Sequence, residues 1–191
     1  MPVDRLAERT AVVLIDLQKG ITALPTVHPA ADVVARAAQL AHAARISGAP
    51  LIRVRVAFSA DGGDVVRART DAPPPAVTPT PDFAEYDKRI PVEPGDILIT
   101  KRGWDAFYGT ELDLQLRRRQ ITGIVLAGIS TSIGVESTAR TGREHGYEIA
   151  VAADAVTDLV ASAHDTSLRV ILPRIARIDS TAAIVDVLAR G

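Results

Sequence analysis

Two charged residues and one glycine directly follow apolar segments of this sequence, at positions where side chains with chemical roles are often held. Asp16 follows the segment 11–15, Lys101 follows the segment 96–100, and Gly134 ends a turn after a third apolar segment. A lysine beside an aspartate can hold the carboxylate in place or change its proton affinity. The pair could therefore exchange a proton with a substrate. The structural alternative, in which Asp16 and Lys101 only cap loops at strand ends, stays open.

The turn before Gly134 could support a second kind of chemistry. Its sequence is GISTSIG, and it leads from a predicted strand into a predicted helix. Backbone N–H groups at a helix start can bind an oxyanion. Ser130, Thr131 and Ser132 could be nucleophiles, but no histidine lies nearby in the sequence to activate them. We therefore predict that these hydroxyl groups cap the helix.

The absence of cysteine excludes several classes of site. Disulfides, thiolate zinc sites, iron–sulfur clusters and cysteine nucleophiles all require that residue. The four histidines are spread along the chain without the HxH or HExxH spacing of metal sites. We predict neither a metal site nor a cofactor.

Length and charge limit the partners of this chain. Its 191 residues are enough to bury a core, and a net charge of −1 argues against nucleic acid or an anionic membrane as the main partner. No apolar run reaches the roughly 18 residues that cross a bilayer, and the first residues lack the apolar region of a secretory signal. We predict a single cytoplasmic domain over 1–191 that acts on a small molecule.

Apolar strand-like segments alternate with helical segments along the chain. The predicted strands are 11–15, 51–56, 96–100, 121–127, 148–153 and a short edge strand at 175–178. The predicted helices are 29–46, 112–119, 135–145, 162–171 and 181–189. This alternation is typical of an α/β protein, here a three-layer α/β/α Rossmann-like fold with a central parallel sheet. Ligands of such sheets bind at the carboxyl ends of the strands, which is where Asp16 and Lys101 lie.

One long irregular stretch interrupts the alternation. Residues 58–94 are rich in Pro, Asp, Gly and Thr and contain no clear strand or helix. Loops of this length are usually functional or mobile. We interpret the stretch as a candidate lid or substrate wall.

Three stretches of the sequence resemble the isochorismatase-like hydrolases, a superfamily that includes many cysteine hydrolases. They are GISTSIGVESTAR at 128–140, KRGWDAFYGTELDLQLRRR at 101–119 and HGYEIAVAADAVTDL at 145–159. The resemblance covers nearly the whole chain and is weakest from 58 to 90. It implies the same α/β fold and a hydrolase activity. Within the superfamily, the sequence is similar to a subgroup with glycine in place of the catalytic cysteine.

The resemblance also implies roles for individual residues. Most members of the superfamily are amidases with an Asp–Lys–Cys triad, and its three positions fall on Asp16, Lys101 and Gly134. A cis peptide bond is expected just before the last position, between Ile133 and Gly134. The histidine of the nicotinamidase metal site has no counterpart after the second predicted strand, so the resemblance implies no metal.

Glycine at position 134 implies chemistry without a covalent intermediate. The isochorismatases themselves have glycine there, and they hydrolyse a vinyl ether by protonating its enol-ether carbon so that water can add. On this scheme Asp16 is the acid, Lys101 orients it, and Gln18 fixes the aspartate or a water. Gly134 leaves room for the substrate ring. The predicted substrate is a small anionic cyclic or enol-ether compound.

Five more residues complete the predicted substrate site. They are Trp104, Phe107, Ser130, Thr131 and Ile133. The aromatic pair could form a ring-stacking wall, or it could pack in the core or at a subunit contact. We also expect a homo-oligomer, either a dimer or a tetramer. Two other functions stay open: a catalytically inactive binding or assembly protein that keeps the cleft, and an amidase acting by direct water attack with Asp16 as base.

Overall fold

The computed structural model describes residues 3–72 and 80–190, and its centre is a six-stranded parallel sheet. The strands are β1 Thr10–Ile15, β2 Leu51–Val56, β3 Ile97–Lys101, β4 Gly123–Ile129, β5 Glu148–Thr157 and β6 Arg177–Asp179. Their order across the sheet is β3-β2-β1-β4-β5-β6. The predicted fold class, an α/β fold with a central parallel sheet, is confirmed.

The described ranges contain six α-helices, five of them between strands and the sixth after β6. They are α1 Lys19–Thr22, α2 Ala30–Ser47, α3 Leu112–Arg118, α4 Glu136–Glu144, α5 Ala161–Thr166 and α6 Thr181–Leu188. Of these, the four-residue α1 has no counterpart among the predicted helices. The longest, α2, ends where Gly48 takes a left-handed conformation with φ 75°, which a glycine adopts without steric cost.

Two apolar layers hold the helices against the sheet. One face of β1, with Val12 and Leu14, packs with α2 and α6. The other face, with Val13 and Ile15, packs with α3 and α4. Every residue of β1 is buried because β2 and β4 flank the strand and helices cover both of its faces. Such burial explains why the strand is an unbroken apolar run rather than an alternating one.

Several predicted boundaries were wrong by a few residues, and two differences affect the site. The third strand extends one residue further than predicted, so Lys101 is its last residue rather than the residue after it. The predicted helix 135–145 is preceded by a π-helical turn, Thr131–Val135, and α4 begins only at Glu136. Another π-helical turn, Ser167–Ile171, ends the predicted helix 162–171.

The fifth strand is longer than predicted, because it continues to pair with β4 after a shift in the register of the two strands. The shift falls between Leu126 and Gly128. Gly128 has φ 134°, and a Cβ there would lie 2.0 Å from the backbone oxygen of Ile15. Only glycine permits this close approach of β4 to β1. The carboxyl ends of the two central strands are thereby brought together.

The order of the strands reverses between β1 and β4, because β1 leads to β2 on one side and β4 leads to β5 on the other. Crevices at such a reversal are the usual ligand sites of open parallel sheets. The described parts of the stretch 58–94 form neither a helix nor a named strand, and their Tyr86 makes one isolated bridge to Gln18. The predicted lid or substrate wall spans 58–94, and its residues 73–79 lie outside the described residues.

None of the helices in the described ranges has both the length and the apolar character needed to cross a bilayer.

Candidate active site

Asp16 stands at the end of β1 in a conformation that is uncommon outside glycine. Its φ is 52°, in the left-handed region that aspartate tolerates better than most side chains. The backbone is held there because Asp16 N–H donates to the Val54 carbonyl, at 3.0 Å. The carboxyl group is buried, and its Oδ1 has no hydrogen-bond partner among the described residues. An unpartnered buried oxygen is costly, and such atoms are often found at functional sites.

Lys101 supplies the opposing charge from the end of β3. Its side chain is buried, and its Nζ lies 2.8 Å from Asp16 Oδ2. The same ammonium group donates to the backbone carbonyl of Trp104. The lysine is therefore fixed at two points, and it contacts only Oδ2 of the aspartate, whose Oδ1 is also buried.

Burial has the largest effect on the proton affinity of Asp16. It raises the pKa of the carboxyl group from 3.8 to about 6, although the charge and hydrogen bond of Lys101 act in the opposite direction. A carboxylate that has lost its water is less stable than the neutral acid, and one cation compensates only in part. Asp16 can therefore be present in both protonation states near neutral pH.

Gly134 lies against the same ion pair, at the end of the π-helical turn after β4. A Cβ at this position would lie 3.2 Å from Lys101 Nζ, 3.3 Å from Asp16 Oδ2 and 2.8 Å from Ile15 Cγ2. A Cβ at this position would therefore be crowded, and the expectation that glycine leaves room for a substrate ring stays a prediction. The ion pair and the Ile15 methyl already fill that space.

These residues can carry acid or base catalysis. Asp16 has one free oxygen and a pKa near neutrality, which are the properties of a group that gives or takes a proton during a reaction. Position 134 offers no nucleophile, and the chain contains no cysteine.

The residues of this site lie within a region that matches a known protein family. The isochorismatase domain family model matches residues 10–183, which include Asp16, Lys101 and Gly134. The chain belongs to the isochorismatase family. This membership makes it a hydrolase and confirms the resemblance, without deciding its substrate.

Similar proteins cover almost the full length of this isochorismatase-family chain. It is 46% identical to the isochorismatase family protein YecD of Escherichia coli O157:H7, over 95% of this chain and 97% of that protein. The structure of an isochorismatase family protein from Burkholderia thailandensis superposes with a TM-score of 0.93 and 41% identity, over 98% of both chains. A shorter match, 46% identical over 74 residues, is to a ureidoacrylate amidohydrolase of Methylobacterium radiotolerans and covers 39% of this chain and 28% of that enzyme.

Gln18 has a different role in this family member from the one we expected. Its side-chain Nε2 donates to the carbonyls of Val56 and Phe83, at 2.9 and 3.1 Å, and its Oε1 accepts from Val56 N–H at 2.8 Å. Both ends of the amide are therefore engaged with backbone rather than with the Asp16 carboxyl group. Gln18 instead joins the ends of β1 and β2 to the segment around residue 83.

Two of the hydroxyl residues of the turn, Thr131 and Ser132, bond to other parts of the chain rather than to the helix start. Ser130 makes no side-chain cap, so the predicted capping is wrong. Thr131 Oγ1 lies 2.9 Å from His164 Nδ1, and Ser132 donates from N–H and Oγ to Asp158 Oδ2, at 2.7 and 2.8 Å. Ile133 is half-buried in the same turn, beside Gly134.

The cis peptide bond lies earlier in the turn than predicted. It joins Ile129 to Ser130, not Ile133 to Gly134. The bend that it makes comes directly after β4, before the π-helical turn begins at Thr131. The prediction placed the irregular backbone four residues too late.

The two predicted aromatic site residues lie in different environments. Phe107 is buried in the core and stacks on Tyr147, with ring centroids 5.8 Å apart. Trp104 is 66% exposed and contributes its backbone carbonyl to Lys101. Phe107 therefore supports the loop from the core side, whereas the indole of Trp104 is free to meet a ligand or another protein.

Sequence reasoning missed two residues that support the turn. Asp158 follows the last residue of β5 and holds Ser132, but the predicted strand ends at 153, so the strand-end rule did not point to Asp158. The other is His164, which is buried, bonds Thr131, and meets the His28 ring edge-on at 5.0 Å. No local pattern in the sequence pointed to its burial.

Two observations limit where ligands could bind. Within residues 3–72 and 80–190, no group of three or more His, Asp or Glu side chains is arranged to hold a metal ion. A cavity of about 790 Å³ opens at the amino ends of the strands, where Arg9, Ser47 and Arg119 are among its lining residues. None of its lining residues belongs to the Asp16 site at the opposite edge.

Proposed function

We propose that this hydrolase acts on a small anionic cyclic or enol-ether compound by acid–base chemistry at Asp16, without a covalent enzyme intermediate. The observation that carries the proposal is the buried, unpartnered Oδ1 of Asp16 on a carboxyl group whose pKa is raised to about 6. An acid with a pKa near the working pH combines a useful protonated fraction with a sufficient driving force for proton transfer.

The proposed reaction begins with the protonated carboxyl group. Asp16 gives its proton to the terminal carbon of the enol ether, and the neighbouring carbon becomes an oxocarbenium ion. Water adds to that carbon and releases a proton, and the resulting hemiketal separates into a ketone and an alcohol. Lys101 stabilises the carboxylate that Asp16 becomes, because its ammonium group already contacts Oδ2 at 2.8 Å.

Two features support the finer parts of the proposal. Gly134 stands where most members of the superfamily are implied to hold the cysteine, so we infer membership of the subgroup with glycine there. Positive charge near the site supports an anionic substrate, since Arg53 and Arg55 both lie over the Tyr86 ring, 4.5 and 5.4 Å from its centroid. Tyr86 bridges to Gln18, two residues from Asp16.

Amide hydrolysis by direct water attack is the second candidate. A relative sharing a 74-residue match is named a ureidoacrylate amidohydrolase, and an ionised Asp16 could take a proton from water as a base. The two candidates require opposite protonation states of one carboxyl group. Their activities therefore change in opposite directions as pH passes through about 6.

The test is to incubate the protein with isochorismate and measure pyruvate release, and in parallel to measure hydrolysis of a panel of ureido and primary amides. Asp16→Asn is the inactivating variant, and Asp87→Asn is a matched control because Asp87 is also buried and paired with a basic residue. We expect pyruvate release that falls as pH rises above about 6, survives a thiol reagent, and is lost only in Asp16→Asn.

Other outcomes would contradict particular parts of the proposal. Amide hydrolysis that rises through pH 6 would replace the acid with the base mechanism. Pyruvate release unaffected by Asp16→Asn would overturn the role of Asp16. If neither substrate class is turned over while ligands still bind, the protein is a binding or assembly protein.

We also propose that the chain forms a homo-oligomer, a dimer or a tetramer. Trp104 and Tyr108 are 66% and 83% exposed, and large exposed aromatic side chains are enriched at protein interfaces. Sedimentation equilibrium of the wild type and of Tyr108→Ser should show a higher mass for the wild type. A monomer at micromolar concentration would contradict this proposal.

A further inference from the structure

Gly134 is enclosed by three side-chain atoms that come from three different residues. The position of its missing Cβ lies 2.8 Å from Ile15 Cγ2, which is closer than real Cβ contacts come, and 3.2 and 3.3 Å from Lys101 Nζ and Asp16 Oδ2. The backbone of Gly134 is not in the left-handed region, so its conformation does not itself require glycine. Space, rather than backbone geometry, keeps a side chain out.

We propose that Ile15 is the residue that reserves position 134 for glycine, because its Cγ2 methyl occupies the space of a Cβ there, and that it thereby keeps the Asp16–Lys101 pair in contact. On this proposal Ile15 determines which chemistry the site can have, since a nucleophile at 134 would need the same space. The proposal goes beyond the proposed function and does not depend on the identity of the substrate.

Ile15 cannot withdraw from this contact easily. Its backbone pairs with Val54 on one side and with Gly128 on the other, and its side chain is fully buried. A β-branched side chain has few allowed χ1 positions, so rotation of Cγ2 would bring Cγ1 into another neighbour. The closest of the three contacts is therefore also the least adjustable one.

The other two atoms have more freedom but are held by each other. Lys101 Nζ bonds Asp16 Oδ2 and the Trp104 carbonyl. If a methyl group were added at position 134, the strand would resist movement of Ile15, and the ion pair would lengthen. The contact at Ile15 therefore determines whether the Asp16–Lys101 pair stays closed.

The test places Gly134→Ala in three backgrounds that differ at residue 15. Ile15→Leu removes the Cγ2 methyl and keeps the volume, whereas Ile15→Val keeps Cγ2 and removes only the terminal methyl, so it is the matched control. We expect Gly134→Ala to lower the melting temperature by roughly 3–10 °C with Ile15 or Val at residue 15. With Leu at residue 15 the loss should fall to less than half.

A second readout follows the ion pair itself. The ¹³C signal of the Asp16 carboxyl group, titrated by NMR, reports its pKa. Gly134→Ala should shift this pKa upward because the pair is lengthened, and the Ile15→Leu/Gly134→Ala double variant should return it toward the wild-type value. A purely structural contact would change the melting temperature without moving this titration.

Specific results would overturn the proposal. They are an equal loss of melting temperature in all three backgrounds, no loss from Gly134→Ala in the wild type, or an Asp16 titration that does not respond. If Gly134→Ala alone does not fold, recovery of folding by Ile15→Leu but not by Ile15→Val supports the proposal, and failure of both contradicts it. None of these measurements uses a substrate, so they remain valid whether or not the proposed reaction is found.

Discussion

Two buried aspartates of this protein differ in a way that separates its site from its scaffold. Asp16 and Asp87 each have a basic partner, Lys101 and Arg89, and their segments are joined because Asp87 N–H donates to the Leu17 carbonyl at 3.0 Å. Yet the pKa of Asp16 is raised to about 6, whereas hydrogen bonds from Arg89 lower that of Asp87 to about 2. A nearby cation alone does not determine the shift.

Burial dominates at Asp16 and hydrogen bonds dominate at Asp87, and together these two effects account for the difference. Asp87 accepts from Thr22 Oγ1 at 3.1 Å and from the backbone N–H, Nε and Nη2 of Arg89, so both of its oxygens are satisfied. Asp16 accepts from Lys101 at Oδ2, and within the part of the chain that the structure describes its Oδ1 has no partner. Donors stabilise the charged form of a carboxyl group, and burial without donors destabilises it.

The comparison indicates which carboxyl group is available for chemistry. A carboxylate with every lone pair engaged is a structural element, here holding the turn after Tyr86. One with a free oxygen in a dry environment has a proton affinity suited to transfer. The same residue type therefore serves two purposes within one edge of the sheet.

Replacing each aspartate by asparagine should produce the largest difference between the two carboxyl groups. Asp16→Asn cannot transfer the proton, and hydrolysis should fall roughly 10²- to 10⁴-fold, as is typical for loss of a general acid or base. Asp87→Asn should change turnover by less than about threefold, since its side chain touches only the scaffold. Turnover of both variants at pH 6, with circular dichroism as a folding control, checks this. Equal losses in the two variants would remove the distinction.

The next largest effect is the pH dependence that Asp16 gives to stability. Its pKa is higher in the folded state, about 6 against 3.8, so its contribution to stability is fully present below pH 3.8 and is lost as pH rises through 6. The free energy of unfolding of the wild type, relative to Asp16→Asn, should therefore decrease by on the order of 2–3 kcal/mol between pH 4 and pH 7. Urea unfolding of both proteins at four pH values measures the difference. A constant difference would show that Asp16 does not titrate as stated.

Replacing Lys101 tests how far its ammonium group offsets the increase in the pKa of Asp16 that burial causes. Without the ammonium group, the pKa of Asp16 should rise further. In Lys101→Met, the pH at which activity falls to half its maximum should therefore increase by roughly one unit. Lys19→Met is the control, because Lys19 pairs with Asp82 and Glu85 in a solvent-exposed position. An unchanged pH of half-maximal activity in Lys101→Met would mean that the lysine acts only structurally.

Much of the fold could be predicted from the sequence because buried parallel strands have a simple signature. The run from Ala11 to Ile15 in β1 is apolar because both faces and both edges of the strand are covered, and Asp16 marks where it ends. The carboxyl-edge rule then brought Asp16, Lys101 and the turn before Gly134 together. The π-helical turn and the longer β5 were not predictable in this way, because they depend on how β4 and β5 shift register after Leu126.

The composition of the site was predicted better than its contacts. Asp16, Lys101 and Gly134 meet as expected, but Gln18 bonds to backbone, Phe107 packs in the core, and His164 is buried. Each of these three contacts depends on which neighbours the side chain meets after folding. No spacing rule in the sequence carries that information, whereas the identity of strand-end residues is local.

The smallest expected effect is the one that Asp87 has on stability, and its sign is opposite to that of Asp16. Because its pKa is lower in the folded state, about 2 against 3.8, its contribution is present above pH 3.8 and is lost as pH falls toward 2. Arg89 is half-exposed and solvent screens it, so Asp87→Asn should lower the free energy of unfolding at pH 7 by only about 1 kcal/mol. Near pH 2 the two proteins should be almost equally stable. Urea unfolding at pH 7 and pH 2.5 checks this, and a larger difference at the lower pH would contradict the structural role of Asp87. Combined with the opposite trend for Asp16, the measurement would show that satisfied and unsatisfied carboxyl groups can be told apart by pH without any substrate.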